Sequence, residues 1–342
     1  MRARMVRRPA AAALLATVAA LAACSQPAAL QPDVLRVGYL PNVTQEVALV
    51  AARRGSFDRA LAPLHVEWKA FGAGPEAVQA LLAGAVDAAY VGPGPAQTAY
   101  LRSNGEALAI LAGATSGGAA LVVRQGAGIT RIADLHGRLL ATPQLGNTQD
   151  VALRAFLLDH ELRPVEQGGD VRVMPITNSA IINLMRRGDL DGAWLPEPWV
   201  TMLVEQAGAT ILVDEKTLWP DGRFPSAVLV GARASLATKG AAMARLVAAH
   251  VAEVRWIAGH AAEARPLVAE QVKLVTGKQL PAAILDGALA HVEPTWDPMP
   301  AALEVMAAHA RRLGYLPDGD LAHLVDRTLL DEALGRPPEV AR

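Results

Sequence analysis

A chain of 342 residues, 52% hydrophobic and 19% charged, is long enough to bury one or two substantial cores. Aromatic residues make up only 4%, so alanine and the aliphatic side chains must fill those cores. The formal net charge of −1 conceals a basic start: residues 1–23 hold Arg2, Arg4, Arg7 and Arg8 and no acid, and the remainder is mildly acidic without a basic cluster, which excludes nucleic acid as a partner.

Those arginines precede an apolar, alanine-rich run, Ala10 to Ala20, followed by Leu21-Ala22-Ala23-Cys24-Ser25. The run is too short for a permanent membrane span and has the length of a signal-peptide core. Leu-Ala-Ala-Cys reads as a bacterial lipobox, with Cys24 lipidated and becoming the first residue of the mature chain. Cys24 is also the only cysteine, so no internal disulfide is expected. The prediction is a lipoprotein signal peptide over 1–23, a tether over 24–33, and a protein anchored in the periplasm or on the outer face of the cytoplasmic membrane.

From Val34 the chain alternates between strand and helix patterns. Val34 to Leu40 reads as a buried strand ending at Pro41-Asn42, and Gln45 to Arg54 as a helix closed by Gly55. His65 to Phe71 alternates as a strand, and Gly72-Ala73-Gly74-Pro75 opens a helix to Ala83. Ala88 to Val91 is a short strand, Gly92-Pro93-Gly94-Pro95 a tight turn, and Ala96 to Ser103 a helix. Leu108 to Ala112 is a strand running into a polar loop, Thr115 to Gly118. This spacing argues for an α/β architecture with a mostly parallel sheet.

The chain is organised around Leu139 to Leu157. An apolar run breaks at Pro143 and Gly146, and an amphipathic helix follows with Val151, Ala155 and Leu158 on one face. Asn147 or Thr148 is the expected N-cap, and Asp150 suits the first turn. A strand–loop–helix junction of this kind leaves backbone N–H groups free at the carboxyl end of a sheet, where open α/β folds bind ligands.

An internal echo indicates two lobes on one plan. Gly84, Asp87, Ala89, Tyr90 and Val91 recur as Gly188, Asp191, Ala193, Trp194 and Leu195, each time after an apolar helix and before a proline-rich turn. Ala120 to Arg124 and Ala227 to Gly231 are strands without local partners and read as the two crossings between lobes. Lobe 1 is therefore assigned to 34–122 and 225–342, and lobe 2 to 123–224. The helices after residue 233 are expected to cover the first lobe, and the absence of sustained heptads predicts a monomer.

A catalytic constellation is hard to assemble. The chain lacks Gly-x-Ser-x-Gly, His-Glu-x-x-His and Ser-x-x-Lys, and its eight histidines never fall at helical metal-ligand spacing. The reading is accordingly no enzyme, no metal and no cofactor. Uncharged polar residues at predicted strand ends remain, contributed by both lobes, and such loops build a cleft that closes on a small ligand.

These segments resemble the solute-binding lipoproteins of bacterial ABC importers for aliphatic sulfonates, nitrate and taurine. The resemblance rests on Arg36-Val-Gly-Tyr-Leu-Pro-Asn42, the Asp87-Ala-Ala-Tyr-Val-Gly-Pro run, and Leu121-Val-Val-Arg124 with Asp134-Leu-x-Gly137. It also rests on Gly146-Asn-Thr-Gln-Asp-Val-Ala-Leu-Arg154 and Trp194-Leu-Pro-Glu-Pro-Trp199. It implies a type II periplasmic-binding fold, two α/β lobes with two crossover strands and a C-terminal helical segment. It also implies delivery of a small polar solute to an ABC permease and its ATPase. The expected ligand contacts are Asn42, Gln45, Gly92, Ser116, Gly117, Asn147, Thr148, Gln149, Asn178, Glu197 and Trp199. Where such proteins often read Thr-His-Ala after the first strand, this chain has Thr44-Gln45-Glu46, so a sulfonate does not follow automatically. Two alternatives stay open: a cationic or zwitterionic amine or guanidinium ligand paired with Glu197, and an enzyme like the pyrimidine-precursor synthases of this fold.

Overall fold

The structure, a computed structural model, describes residues 34–337. The signal segment, Cys24 and the tether lie outside the described residues.

Two mixed sheets organise the chain. The first has six strands: β1 (Val34–Tyr39), β2 (His65–Ala70), β3 (Ala88–Val91), β4 (Leu108–Gly117), β10 (Pro225–Ala232) and β11 (Val292–Pro294), in the order β11-β4-β10-β3-β1-β2. The second has five: β5 (Ala119–Val123), β6 (Leu139–Thr142), β7 (Arg172–Pro175), β8 (Gly192–Pro196) and β9 (Thr210–Asp214), in the order β7-β6-β8-β5-β9. Each sheet has a parallel part built from βα units. In the first sheet β1 pairs with β3, and in the second β6 pairs with both β7 and β8. The crossing strands enter antiparallel, β10 between β3 and β4, and β5 between β8 and β9.

The helices of the βα units are α1 (Glu46–Arg54), α2 (Ser56–Leu61), α3 (Gly74–Leu82) and α4 (Pro93–Arg102) in the first lobe. Those of the second are α5 (Thr148–Asp159), α6 (Asn178–Arg187) and α7 (Trp199–Ala207). Proline opens α3 and α4 within their first two positions, where its missing N–H costs nothing. Alternation along each strand feeds a core on either face. Tyr90 packs with Val37 and Leu229 on one side of the first sheet, and Val91 with Leu81 and Ile110 on the other. In the second sheet Trp194 joins Leu140 and Phe156, whereas Leu195 joins Ile181 and Leu203. Each fully buried aliphatic residue contributes about 1.5–3 kcal/mol.

Three differences from the expected layout have physical causes. β4 runs on through Thr115, Ser116 and Gly117, which are strand and not loop, because β11 pairs with them from nearly two hundred residues downstream. The first crossing falls at Gly118, so 119–122 belong to the second sheet although they were assigned to the first lobe. Gly117 and Gly118 have φ of +80° and +75°, and a Cβ on Gly117 would lie 2.7 Å from the His291 carbonyl oxygen.

The third difference concerns the C-terminal helices. α8 (Arg233–Thr238), α9 (Gly240–Gly259), α10 (Ala261–Thr276) and α13 (Thr328–Leu334) do lie with the first lobe, α10 on α1 and α13 on α9. However, α11 (Ala282–Ala290) packs on α7 as well as on β11, and α12 (Pro300–Arg312) on α5 as well as on α4, so both also reach the second lobe. Arg312 pairs with Asp159 at 2.7 Å, and Ala307 and Ala310 cover Val151.

Candidate functional site

Parallel βα units place their helix starts on one edge of a sheet, and here the two edges face each other across a cavity of about 430 Å3. Five junctions line it: Asn42, Thr44 and Gln45 ahead of α1; Ala73, Gly74 and Pro75 at α3; Gly92 and Pro95 at α4; Asn147, Thr148 and Gln149 at α5; and Thr177 and Asn178 at α6. The first N–H groups of each helix have no intrahelical acceptor, and the helix dipoles add positive potential at the same place. Among the described residues, no lysine, arginine, histidine, aspartate or glutamate lines the cavity.

Side-chain geometry adds neutral donors. The Asn147 Oδ1 accepts the Asp150 N–H at 2.9 Å, which makes Asn147 the N-cap of α5 and fixes its entry angle. Asp150 is wholly buried and accepts from the Thr142 hydroxyl, the Gly146 N–H and Arg154, so the loop in front of the helix is held from beneath. Gln149 is only 8% exposed, and its amide has no hydrogen-bond partner among the described residues. The Gln45 Oε1 accepts the Leu40 N–H at 2.9 Å, which leaves its NH2 group as a donor. The Thr148 hydroxyl accepts the Gly94 N–H at 3.3 Å, a bond from the first helix turn of one lobe to that of the other. The approach is close, since a Cβ on Gly94 would stand 3.3 Å from the Thr148 nitrogen.

Of the eleven residues expected at the site, Asn42, Gln45, Gly92, Asn147, Thr148, Gln149 and Asn178 line this one cavity. The other four lie elsewhere. Ser116 and Gly117 are strand residues under β11, and the Ser116 hydroxyl accepts the Phe224 N–H at 3.3 Å. Trp199 packs at the edge of the apolar cluster around α7. Glu197 is 1% exposed and accepts from the Thr201 N–H at 3.0 Å, the Thr201 hydroxyl at 2.9 Å and His291 Nδ1 at 2.5 Å. That hydrogen bond, more than the opposing burial, holds the His291 pKa above the usual imidazole value.

Residues of the lining that were not singled out include Thr44, Gly74, Thr177 and Ser226. Gly72-Ala73-Gly74-Pro75 has the same strand–loop–helix form as the Gly146–Gln149 junction. Ser226 carries no local signal, because it sits at the start of the returning strand β10.

A family model for the NMT1-like family matches residues 28–273. The chain belongs to the NMT1-like family. This NMT1-like chain is similar to a putative binding protein of Brucella abortus, 26% identical over 197 residues, covering 57% of this chain and 58% of the relative. The taurine-binding periplasmic protein of Escherichia coli is 29% identical over 188 residues, covering 55% and 56%. The chain thus spans a little over half the length of the curated relatives it matches. In fold it is similar to the alkanesulfonate-binding protein SsuA from Xanthomonas axonopodis bound to MOPS, with a TM-score of 0.72 at 20% identity over 88% of this chain and 100% of that one. The periplasmic nitrate-binding protein NrtA from Synechocystis gives 0.73 at 16% identity, over 89% and 88%. The two-lobed α/β periplasmic-binding fold is therefore that of this chain.

Proposed function

We propose that this chain is the extracytoplasmic solute-binding component of an ABC importer and captures a small polar solute of the sulfonate, nitrate or taurine class between its lobes, holding its anionic group. The observation that carries the reading is the cavity on which five helix N-termini converge, lined by neutral donors and, among the described residues, by no charged side chain. Such a lining favours an anion through oriented N–H groups, without the desolvation cost of a buried cation. The curated relatives are named as binding proteins, one of them for taurine, which agrees with that class. Capture without chemistry is part of the proposal, in keeping with relatives that are named as binding proteins.

The cationic alternative depended on Glu197, which stands outside the lining and is already engaged by Thr201 and His291. Lipidation at Cys24, delivery to a permease and its ATPase, and a monomeric state complete the proposal. Uptake tests the transport role. Cells lacking this chain but retaining the permease should lose uptake of labelled sulfonate, and unchanged uptake would contradict the role.

A further inference from the structure

A solute held between two lobes enters and leaves as they part, so an element that spans both limits the parting. Helix α12 is such an element. Its first turn is rooted in the first lobe. Leu303 is buried in the apolar cluster of Val91, Ile110 and Leu324, and its carbonyl accepts the Gln97 Nε2–H of α4 at 2.7 Å, a buried bond. One turn on, Met306 packs on Ala119 and Phe224, beside the two crossings between the sheets.

The far end of α12 reaches the second lobe and is held there differently. Ala307, Ala310 and Leu316 pack with Val151 of α5, and the Arg154 guanidinium lies 5.9 Å from the centre of the Tyr315 ring. Arg312, about 9 Å beyond Met306 along the helix, donates to the Ala155 carbonyl at 3.1 Å and pairs with Asp159 at 2.7 Å. The side chains of that pair are 42% and 44% exposed, and ion pairs in water are weak and easily exchanged. Between the three helices lies a cavity of about 30 Å3, whose walls include Gln97 and Thr98 of α4, Val151 and Ala152 of α5, and His309 and Ala310 of α12. One end of the helix is thus dry and close-packed, and the other is wet and borders a void.

Resting on the solute-binding reading above, we infer that α12 is a strap: it stays with the first lobe through Gln97 and Leu303, releases α5 when the cleft opens, and re-engages Arg312 with Asp159 and Ala155 when a solute draws the lobes together. Neither Arg312 nor Asp159 lines the solute cavity. They are positioning residues that raise the closed fraction, and apparent affinity scales with that fraction.

Small-angle X-ray scattering and methanesulfonate titration calorimetry on the purified chain test this. Arg312→Glu turns the pair into a repulsion, and the double variant Arg312→Glu, Asp159→Arg rebuilds it with the charges exchanged. Work at pH 8 keeps His309 neutral, since burial and then Arg312 hold its pKa below the usual imidazole value. Without solute, Arg312→Glu should enlarge the radius of gyration, and the exchanged pair should restore it. The dissociation constant for methanesulfonate should rise by more than twofold, to about fivefold, in Arg312→Glu and return in the exchanged pair. The pair is exposed, so both variants should fold, and melting curves check that they do. An unchanged radius in Arg312→Glu overturns the strap, as does a dissociation constant within about twofold of the parent. Losses that the exchanged pair fails to restore overturn it too, because they mark Arg312 as a packing residue. If methanesulfonate, taurine and nitrate all fail to bind the parent, the solute reading falls, and the radius comparison still decides the strap.

Discussion

Asp87 and Asp191 do the same work in two different sheets. The Asp87 carboxylate accepts the Arg36 N–H of β1 at 2.9 Å, and the Asp191 carboxylate accepts the Leu139 N–H of β6 at 3.0 Å. In return the Asp87 N–H donates to the Arg36 carbonyl at 2.8 Å and the Asp191 N–H to the Leu139 carbonyl at 2.9 Å. Each aspartate thus ties the start of one strand to its parallel neighbour and sets the register in which the helix starts reach the cleft. A cation is paired with each: Lys239 with Asp87 at 2.9 Å and Arg124 with Asp191 at 3.3 Å.

The two ties differ in burial, and their loss should differ accordingly. Asp87 is 2% exposed and also accepts the Ser235 hydroxyl, whereas the Asp191 side chain is 22% exposed. Asp87→Ala should cost about 3 kcal/mol or more, because buried donors lose their acceptor. Asp191→Ala should cost about 1–2 kcal/mol, since water reaches that site. Urea midpoints at constant slope would check the order, and equal losses would count against it.

Gln149 and Asn147 separate binding from folding. The Gln149 side chain has no hydrogen-bond partner among the described residues, so Gln149→Ala should weaken ligand binding by about 0.5–1.5 kcal/mol with little change in stability. Asn147 caps α5, so Asn147→Ala should lower stability by about 1 kcal/mol even without ligand. Calorimetry and thermal melts on both variants would read the two effects separately.

The repeated βα plan was legible because alternation, helix periodicity and turn residues are local, and the matched Asp87 and Asp191 motifs marked it twice. Helix starts at strand ends were legible for the same reason, and seven expected residues share a cavity. What was hidden depends on partners far along the chain. Ser116 and Gly117 look like a loop until Val292–Pro294 pairs with them, and Glu197 looks available until His291 reaches it. Likewise α11 and α12 carry ordinary apolar stripes, and nothing in a stripe states which lobe it will meet.

The Glu197–His291 bond joins the second lobe to the segment leading into β11, and it should respond to pH. The folded state raises the His291 pKa, so its stabilisation is complete below the unfolded imidazole value and fades as pH rises through the folded one. Asp214 reinforces the shift and Lys216 opposes it. His291→Ala should therefore lower the melting temperature more at pH 5.5 than at pH 9, and a pH-independent loss would show that packing alone matters there.

Glu46 predicts the same direction over a lower pH range. It is 5% exposed, and burial pushes its pKa from 4.5 to about 7. A carboxyl raised in the folded state lowers stability as pH climbs from about 4.5 to 7, and the deficit persists above that range. Glu46→Gln should stabilise the protein at pH 8 by up to about 3 kcal/mol and by little at pH 4. Urea titrations at the two pH values would check this.

The most direct test of the account is a thermal-shift comparison of the purified chain with methanesulfonate, taurine and nitrate against simple amines and guanidinium compounds of similar size. A ligand at a hundred times its dissociation constant should add about 2.7 kcal/mol of stability. Stabilisation by methanesulfonate, taurine or nitrate, and not by the cations, is the result the cleft predicts. Stabilisation by the cations alone would contradict it, since among the described residues the lining holds no carboxylate to receive them.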